Sequence, residues 1–169
     1  MKKIIPILMI ALILLTGCSS SEQTGLTSFT AHDLNGSTQT EAIFEDHKLT
    51  MVNLWGTYCG PCIEEMPALA ELHEEYADQS FQVVGIIGDV NSYEGSKAET
   101  AKNILETAGA NYVNLLPNQS MQAFLQPFVY VPTTVFLDQD GKQVGEPYIG
   151  ARSKADWKLI IEKLLKETP

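Results

Sequence analysis

Residues 53–67 read NLWGTYCGPCIEEMP and place Cys59 and Cys62 between an apolar run and a helical pattern. Pro61 suits an early helical position, so the spacing predicts that a helix begins at Cys59. Unpaired backbone N–H groups and the helix dipole stabilise a thiolate at such a position. We therefore expect Cys59 to be the exposed sulfur of low pKa that attacks a disulfide. Cys62, one turn further along, is expected to be the resolving thiol.

Two other uses of a cysteine pair fit this sequence less well. A structural zinc site needs a closed tetrahedral ligand set, and His32, His47 and His73 do not fall at the paired spacing that would complete one. A purely structural disulfide between positions 59 and 62 would close a very short loop and would remove little chain entropy. The pattern thus favours a redox pair and predicts no metal site.

The N-terminus has the pattern of an export signal. Lys2 and Lys3 precede an apolar run over residues 4–15, which is shorter than the roughly 20 residues of a spanning helix. The stretch from Leu15 to Cys18, Leu-Thr-Gly-Cys, resembles the lipobox of bacterial lipoproteins. That resemblance implies a signal peptide over 1–17, a lipid on Cys18, and a protein anchored on the extracytoplasmic face of the cell membrane. An ordinary secretory peptide with a stray cysteine is the alternative.

The rest of the chain is predicted to hold one domain. Residues 18–26 would carry the lipid and a flexible polar linker, and residues 27–169 would form the domain. Removing Lys2 and Lys3 from the 11 Lys and Arg leaves 9 against 21 Asp and Glu, a net charge of −12. Such an acidic domain is repelled by nucleic acid. We expect a monomer without a nucleic-acid partner.

Hydrophobic periodicity and turn residues predict the order β-hairpin, β, α, β, α, β, short α, β, β, α. Asn35-Gly36 and Asp140-Gly141 mark hairpin turns. Ser96 with Glu99 forms a capping box for the second helix, and Ser153 caps the last helix. Alternation followed by a terminal hairpin predicts a mixed sheet with helices on both faces.

Three stretches, in order, resemble the membrane-anchored thioredoxin-like proteins, the group that includes TlpA, ResA and CcmG. They are NLWGTYCGPCIEEMP, VNSYEGSKAETAKNILETAG and VYVPTTVFLDQDGK, and the likeness runs from about Phe29 to Leu165. The resemblance implies a thioredoxin-like α/β fold: a central mixed sheet flanked by helices, with an N-terminal β-hairpin and an inserted region before the second main helix. It also implies a thiol-disulfide oxidoreductase whose Cys59–Cys62 disulfide is its redox group, without a further cofactor.

The same resemblance gives Pro132 the place of a cis-proline beside the cysteines. The backbone of Val131 would then pair with an extended substrate segment, and Trp55 would complete the substrate-binding residues. An ordinary trans proline at the start of a strand is the alternative for Pro132.

Glu65 matches an acid that several family members place beneath the cysteines, where it could take the proton of Cys62. A solvated charge beside Glu64 is the alternative. Asn53 occupies the position at which thioredoxins proper carry a buried aspartate. Because an asparagine does not titrate, the acceptor of that proton has to be Glu65 or water.

The direction of electron flow follows from the sequence less directly. Gly60-Pro61 is the pair found in thioredoxin, which favours a reductase of exported proteins that receives electrons from a membrane protein of the CcdA/DsbD type. A disulfide-forming oxidase, or a metal-carrying or adaptor module without enzymatic activity, is the alternative. Copper-delivering relatives separate their cysteines by one residue more, and a peroxidase of peroxiredoxin type would need Thr where this chain has Gly56.

Overall fold

The computed structural model describes residues 25–169. The proposed signal peptide and Cys18 lie outside the described residues, as does all but the end of the proposed linker. Within the described range, none of the helices has both the length and the apolar character needed to cross a membrane.

The order of elements agrees with the order predicted from the sequence. The strands are β1 Thr30–His32, β2 Thr38–Thr40, β3 Leu49–Trp55, β4 Phe81–Ile87, β5 Asn114–Leu115, β6 Thr133–Leu137 and β7 Gln143–Ile149. The helices are α1 Gly60–Glu75, α2 Ser96–Ala108, α3 Gln122–Leu125 and α4 Lys154–Glu167, with 3₁₀ turns at Glu41–Phe44, Ala77–Gln79 and Gln119–Met121.

The main sheet is mixed, as predicted, with the strand order β5-β4-β3-β6-β7. The central strand β3 runs parallel to β4 and antiparallel to β6, and every residue of β3 and β4 is buried. The apolar residues of α1, α2 and α4 pack together on one face of this sheet. The N-terminal segment and the short α3 pack on the other face. The three long helices therefore share one face.

The N-terminal hairpin forms where Asn35-Gly36 predicted it. The carboxylate of Asp33 accepts hydrogen bonds from the backbone N–H groups of Asn35 and Ser37, each at 2.9 Å. Gly36 has φ +85°, a conformation that favours glycine. The side chain of Asp33 and the conformational freedom of Gly36 together fix this turn.

The chain enters the fold beside the turn between β6 and β7. Gly25 pairs with Lys142, and the N–H of Leu26 donates to the carbonyl of Gly141 at 2.8 Å. This turn follows the carboxyl end of β6, whereas β3 ends beside Thr133 at the other end of β6. Since a strand rises about 3.3 Å per residue, the entry point and the end of β3 lie at opposite ends of the sheet, on the order of 15 Å apart.

The capping box predicted for α2 is wrong. Gly95 is the N-cap, with φ +94°, and it has no side chain to accept a hydrogen bond. Ser96 is therefore already the first helical residue, and Glu99 forms an ion pair with Lys102 at 3.2 Å instead. The cap predicted for α4 is confirmed, because the Ser153 hydroxyl accepts from the N–H of Asp156 at 3.2 Å.

Gly85 in β4 lies beside the side chain of Asn114, which forms a hydrogen bond with Trp55. Its missing Cβ would overlap Asn114 Oδ1, the atom that accepts the indole N–H of Trp55 at 2.9 Å. We expect Gly85→Ala to break this hydrogen bond and to lower the free energy of unfolding by about 1–3 kcal/mol, the range of an overpacked core. Urea unfolding followed by tryptophan fluorescence measures the change.

Gly88→Ala is the matched control for this prediction. A Cβ at Gly88 would meet only the carbonyl oxygen of Trp55, at an ordinary 3.6 Å. Equal midpoints of unfolding for the two variants would contradict the argument, since both add one methyl group to the same segment of chain.

Candidate active site around the Cys59–Cys62 pair

The two cysteines lie where β3 passes into α1. The N–H of Cys59 donates to the carbonyl of Gly56 at 3.0 Å, which closes a turn, and Cys59 is the N-cap of α1. The N–H of Cys62 donates to Cys59 Sγ at 3.3 Å, and a disulfide joins the two residues. The prediction that Cys59 lies at the start of a helix is confirmed. The sulfur occupies the place where a helix N-terminus stabilises negative charge.

The expected exposure of Cys59 is wrong for this disulfide form. Cys59 is 7% exposed and Cys62 is 1% exposed, so both are buried. Cys59 is a short side chain whose sulfur turns back toward the first turn of α1 and bonds to Cys62, and both cysteines belong to the core cluster on the helical face of the sheet. Cys59 is still the more accessible of the two.

Glu65 is buried one turn after Cys62. Its carboxylate accepts three hydrogen bonds: from Asn53 Nδ2 at 3.1 Å, from the N–H of Arg152 at 3.0 Å, and from Trp157 Nε1 at 3.3 Å. Burial raises the pKa of Glu65, and it outweighs these hydrogen bonds and the charge of Arg152, which act in the opposite direction. The alternative of a solvated charge is therefore wrong. A buried carboxyl group that ionises less readily than usual follows the resolving cysteine.

Asn53 connects this carboxylate to the sheet. Its Nδ2 also donates to Thr134 Oγ1 at 3.1 Å, while its buried Oδ1 has no hydrogen-bond partner among residues 25–169. The hydroxyl of Tyr112 is likewise buried without a partner in that range. Burial, and then the nearby carboxyl of Glu65, raise the pKa of Tyr112, so this hydroxyl stays neutral. Glu65 is thus the titrating group of this buried polar cluster.

The segment around Pro132 lies beside the end of β3, since Thr133 pairs with Leu54. The Val131–Pro132 bond is cis, as the resemblance implied. The carbonyl of Pro132 accepts from the N–H of Gly150 at 2.8 Å, which ties this segment to the loop before α4. The structure places Val131 and Pro132 at the end of the sheet that carries the cysteines. Their contact with substrate stays a prediction.

Direct contact of Trp55 with a substrate is contradicted by its burial. Trp55 is fully buried, and its indole N–H donates to Asn114. As the last residue of a central strand it packs inside the fold. The exposed aromatic residues of this region are Tyr58, at 74%, and Tyr130, at 67%. They precede Cys59 and the Val131–Pro132 segment respectively.

One contact of the site was not predicted from the sequence. Asp89 follows β4 and accepts hydrogen bonds from Thr57, a residue of the turn that leads to Cys59. Positions 57 and 89 show no common pattern along the chain. The available signal was that β3 and β4 are both buried and parallel, because the carboxyl ends of parallel strands meet at one edge of a sheet.

Comparison with known proteins agrees with this geometry. The model of the AhpC/TSA family matches residues 24–145. The thioredoxin-like protein YneN of Bacillus subtilis is 28% identical over 116 residues, 68% of this chain and 64% of that protein. The thiol-disulfide oxidoreductase ResA of Bacillus anthracis is 26% identical over 117 residues, 69% of this chain and 64% of that protein. The chain thus spans slightly less than two thirds of these relatives.

Solved structures support the predicted fold. A thioredoxin-family thiol:disulfide interchange protein from Chlorobium tepidum has a TM-score of 0.70 at 24% identity, over 87% of this chain and 99% of that one. The thioredoxin domain of a thiol-disulfide oxidoreductase from Bacteroides vulgatus has a TM-score of 0.66 at 20% identity, over 85% and 96%. The thioredoxin-like α/β fold is confirmed.

Proposed function

The chain belongs to the AhpC/TSA family. From the geometry of its cysteine pair we propose that it is a thiol-disulfide oxidoreductase that works through Cys59 and Cys62. The observation that carries the proposal is the position of Cys59 at the N-cap of α1, in a disulfide with Cys62. A thiolate released there on reduction is stabilised by the helix N-terminus, and its partner thiol is held one turn away.

The proposed reaction starts from the reduced pair. The thiolate of Cys59 attacks one sulfur of a substrate disulfide, forms a mixed disulfide, and expels the other substrate sulfur as a thiolate that takes up a proton. Cys62 then gives its proton to Glu65 and attacks Cys59 Sγ. The Cys59–Cys62 disulfide forms and the second substrate sulfur leaves, so two electrons pass to the substrate. The backbone of Val131, beside Pro132, is proposed to pair with the substrate chain near the reacting sulfurs.

Turnover of a model substrate tests this proposal. Wild-type protein should accelerate the reduction of insulin disulfides by dithiothreitol, and Cys59→Ser should bring the rate down to that of dithiothreitol alone. The loss follows because the remaining thiol, Cys62, is only 1% exposed and is not at the N-cap of α1. Equal rates for the two proteins would contradict the redox function of the pair and would favour an adaptor module.

The proposed direction is reduction of disulfides in exported proteins. Gly60-Pro61 separates the cysteines as in thioredoxin, whose reduction potential is about −270 mV, against about −120 mV for the oxidant DsbA. Equilibration of the pair in buffers of known thiol-disulfide ratio measures this potential. A value near that of DsbA would replace the reductase with a disulfide-forming oxidase.

The proposed location is the extracytoplasmic face of the cell membrane, with a lipid on Cys18. Electrons would come from a membrane protein of the CcdA/DsbD type. Candidate substrates are the haem-binding cysteines of apocytochromes c and oxidised exported enzymes such as methionine sulfoxide reductase. Cys18→Ser should move the protein from the membrane fraction to the soluble fraction without changing insulin reduction. Retention in the membrane fraction would contradict lipid anchoring.

A further inference from the structure

The turn that leads to the candidate nucleophile is held by one carboxylate from the neighbouring strand. The N–H of Thr57 donates to Asp89 Oδ1 at 2.9 Å, and the Thr57 hydroxyl donates to Asp89 Oδ2 at 2.6 Å. The two carboxylate oxygens of Asp89 therefore bind Thr57 at both its backbone and its side chain. We call this pair of hydrogen bonds the Thr57–Asp89 clamp.

The clamp acts on a segment with little freedom to relax. Thr57 lies inside the turn from Gly56 to Cys59, and this turn leads directly into α1. A Cβ on Gly56 would lie 2.9 Å from the ring of Tyr58 and 3.4 Å from Asp89 Oδ1, so the backbone passes close to both groups. The N–H of Gly88 also donates to the carbonyl of Trp55 at 2.8 Å, which holds the two strand ends together.

We propose that Asp89 is a positioning residue for Cys59: the Thr57–Asp89 clamp fixes the turn so that Cys59 Sγ stays within reach of the N–H groups at the start of α1. The inference rests on the proposed redox function of the cysteine pair. The contact that depends on the alignment is the 3.3 Å hydrogen bond from the Cys62 N–H to Cys59 Sγ. A rotation of the turn would remove this donor from the sulfur.

The position of Asp89 has an electrostatic disadvantage for a thiolate site. Burial raises the pKa of Asp89, but the hydrogen bonds from Thr57 and the charge of Lys97 outweigh burial and lower that pKa overall. Lys97 Nζ lies 3.6 Å from Asp89 Oδ2 and donates to the Asp89 carbonyl at 3.0 Å. The ionised carboxylate repels a negative charge on Cys59, whereas the alignment of the turn stabilises that charge.

The two effects have opposite signs, so the thiol pKa of Cys59 separates them. In Asp89→Asn the negative charge and part of the clamp are lost. In Thr57→Val the hydroxyl donor is lost while the carboxylate keeps its charge. If the clamp positions Cys59, the pKa of Cys59 should rise by about half a unit to one unit in Thr57→Val, the size of a helix N-terminal interaction. In Asp89→Asn the pKa should rise by less, because loss of the negative charge acts in the opposite direction.

The experiment measures alkylation of Cys59 by iodoacetamide as a function of pH in the reduced full-length protein, with the Cys59 peptide quantified by mass spectrometry. Glu99→Gln, which removes an exposed charge from α2, is the control and should leave the pKa unchanged. A lower pKa in Asp89→Asn would mean that the charge of Asp89 outweighs its positioning of Cys59, and an unchanged pKa in Thr57→Val would mean that the clamp positions nothing. Either result overturns the proposal.

The titration requires no substrate, so its outcome is independent of the proposed function. Failure of the wild-type protein to reduce insulin would contradict the function while leaving the pKa comparison valid. Thermal unfolding followed by circular dichroism shows whether each variant is folded, and Thr57→Val keeps the test decisive if Asp89→Asn does not fold.

Discussion

Replacing Cys62 with Ser should stop turnover and leave the protein covalently joined to its substrate through Cys59. The first attack requires only Cys59, but release of the mixed disulfide requires a second thiol in the same site. Cys62 is bonded to Cys59 and is 1% exposed, so in this position it can meet the mixed disulfide while remaining shielded from other thiols. Insulin reduction should fall to the rate of dithiothreitol alone.

Non-reducing electrophoresis and mass spectrometry detect the trapped complex. In a membrane preparation the same variant would identify the natural substrate by the peptide bound to Cys59. Cys59→Ser is the matched control, because it should be equally inactive without trapping anything. A mixed disulfide that forms through Cys62 in that control would reverse the assigned roles of the two sulfurs.

Glu65→Gln should slow resolution of the mixed disulfide by about 100-fold, the lower end of the usual contribution of a general base. Glu65 Oε2 faces two donors that cannot turn, the N–H of Arg152 and Trp157 Nε1, so the amide oxygen of a glutamine would take that place. The new amide nitrogen would then face Asn53. The Asn53 side chain can rotate and present Oδ1, which has no partner among the described residues.

Because the isosteric variant can keep its hydrogen bonds in this way, we expect it to fold and to form the mixed disulfide at a normal rate. Rapid mixing with a disulfide peptide, followed by acid quench, separates formation of the complex from its resolution. Glu64→Gln, at the exposed neighbouring position, is the control. Unchanged resolution in Glu65→Gln would leave water as the acceptor of the Cys62 proton.

The raised pKa of Glu65 also predicts a pH dependence of stability. Between the ordinary value of 4.5 and the raised value in the folded protein, the folded state binds more protons than the unfolded state. Stability from Glu65 is therefore full below that window and is lost as pH rises through the folded pKa. The free energy of unfolding of the wild type, taken relative to Glu65→Gln, should fall over this window in urea titrations. A difference that increases with pH would mean that the three hydrogen bonds outweigh burial.

Local patterns sufficed for most of the fold. Two turns and one helix cap are determined by adjacent residues and could therefore be predicted from the local sequence. They are the turns at Asn35-Gly36 and Asp140-Gly141 and the cap at Ser153. The capping box at Ser96 failed because Gly95, one residue earlier, adopts a backbone conformation that no pattern of side chains indicates. Strand β5 is short, because only Asn114 and Leu115 pair with β4.

The features of the candidate site also fall into those set by adjacent residues and those set by distant residues. The helix start at Cys59 depends on adjacent residues and was predictable. The burial of Trp55 and the partners of Glu65 depend on residues between about 60 and 90 positions away, namely Asn114, Arg152 and Trp157. The contact between Thr57 and Asp89 likewise exists only once β3 and β4 lie side by side. Such long-range contacts require the sheet to be assembled before they can be identified.

The entry of the chain at Gly25 has a consequence for access to the redox pair. With a lipid on Cys18, residues 18–24 could extend at most about 25 Å between the bilayer and Gly25. Because Gly25 lies at the far end of the sheet from the cysteines, an upright domain would hold its reactive sulfurs on the side that points outward. Soluble proteins could approach these sulfurs freely. A donor embedded in the lipid would contact them only when the whole domain rotates toward the membrane, and the length of the segment 18–24 would set how often this occurs.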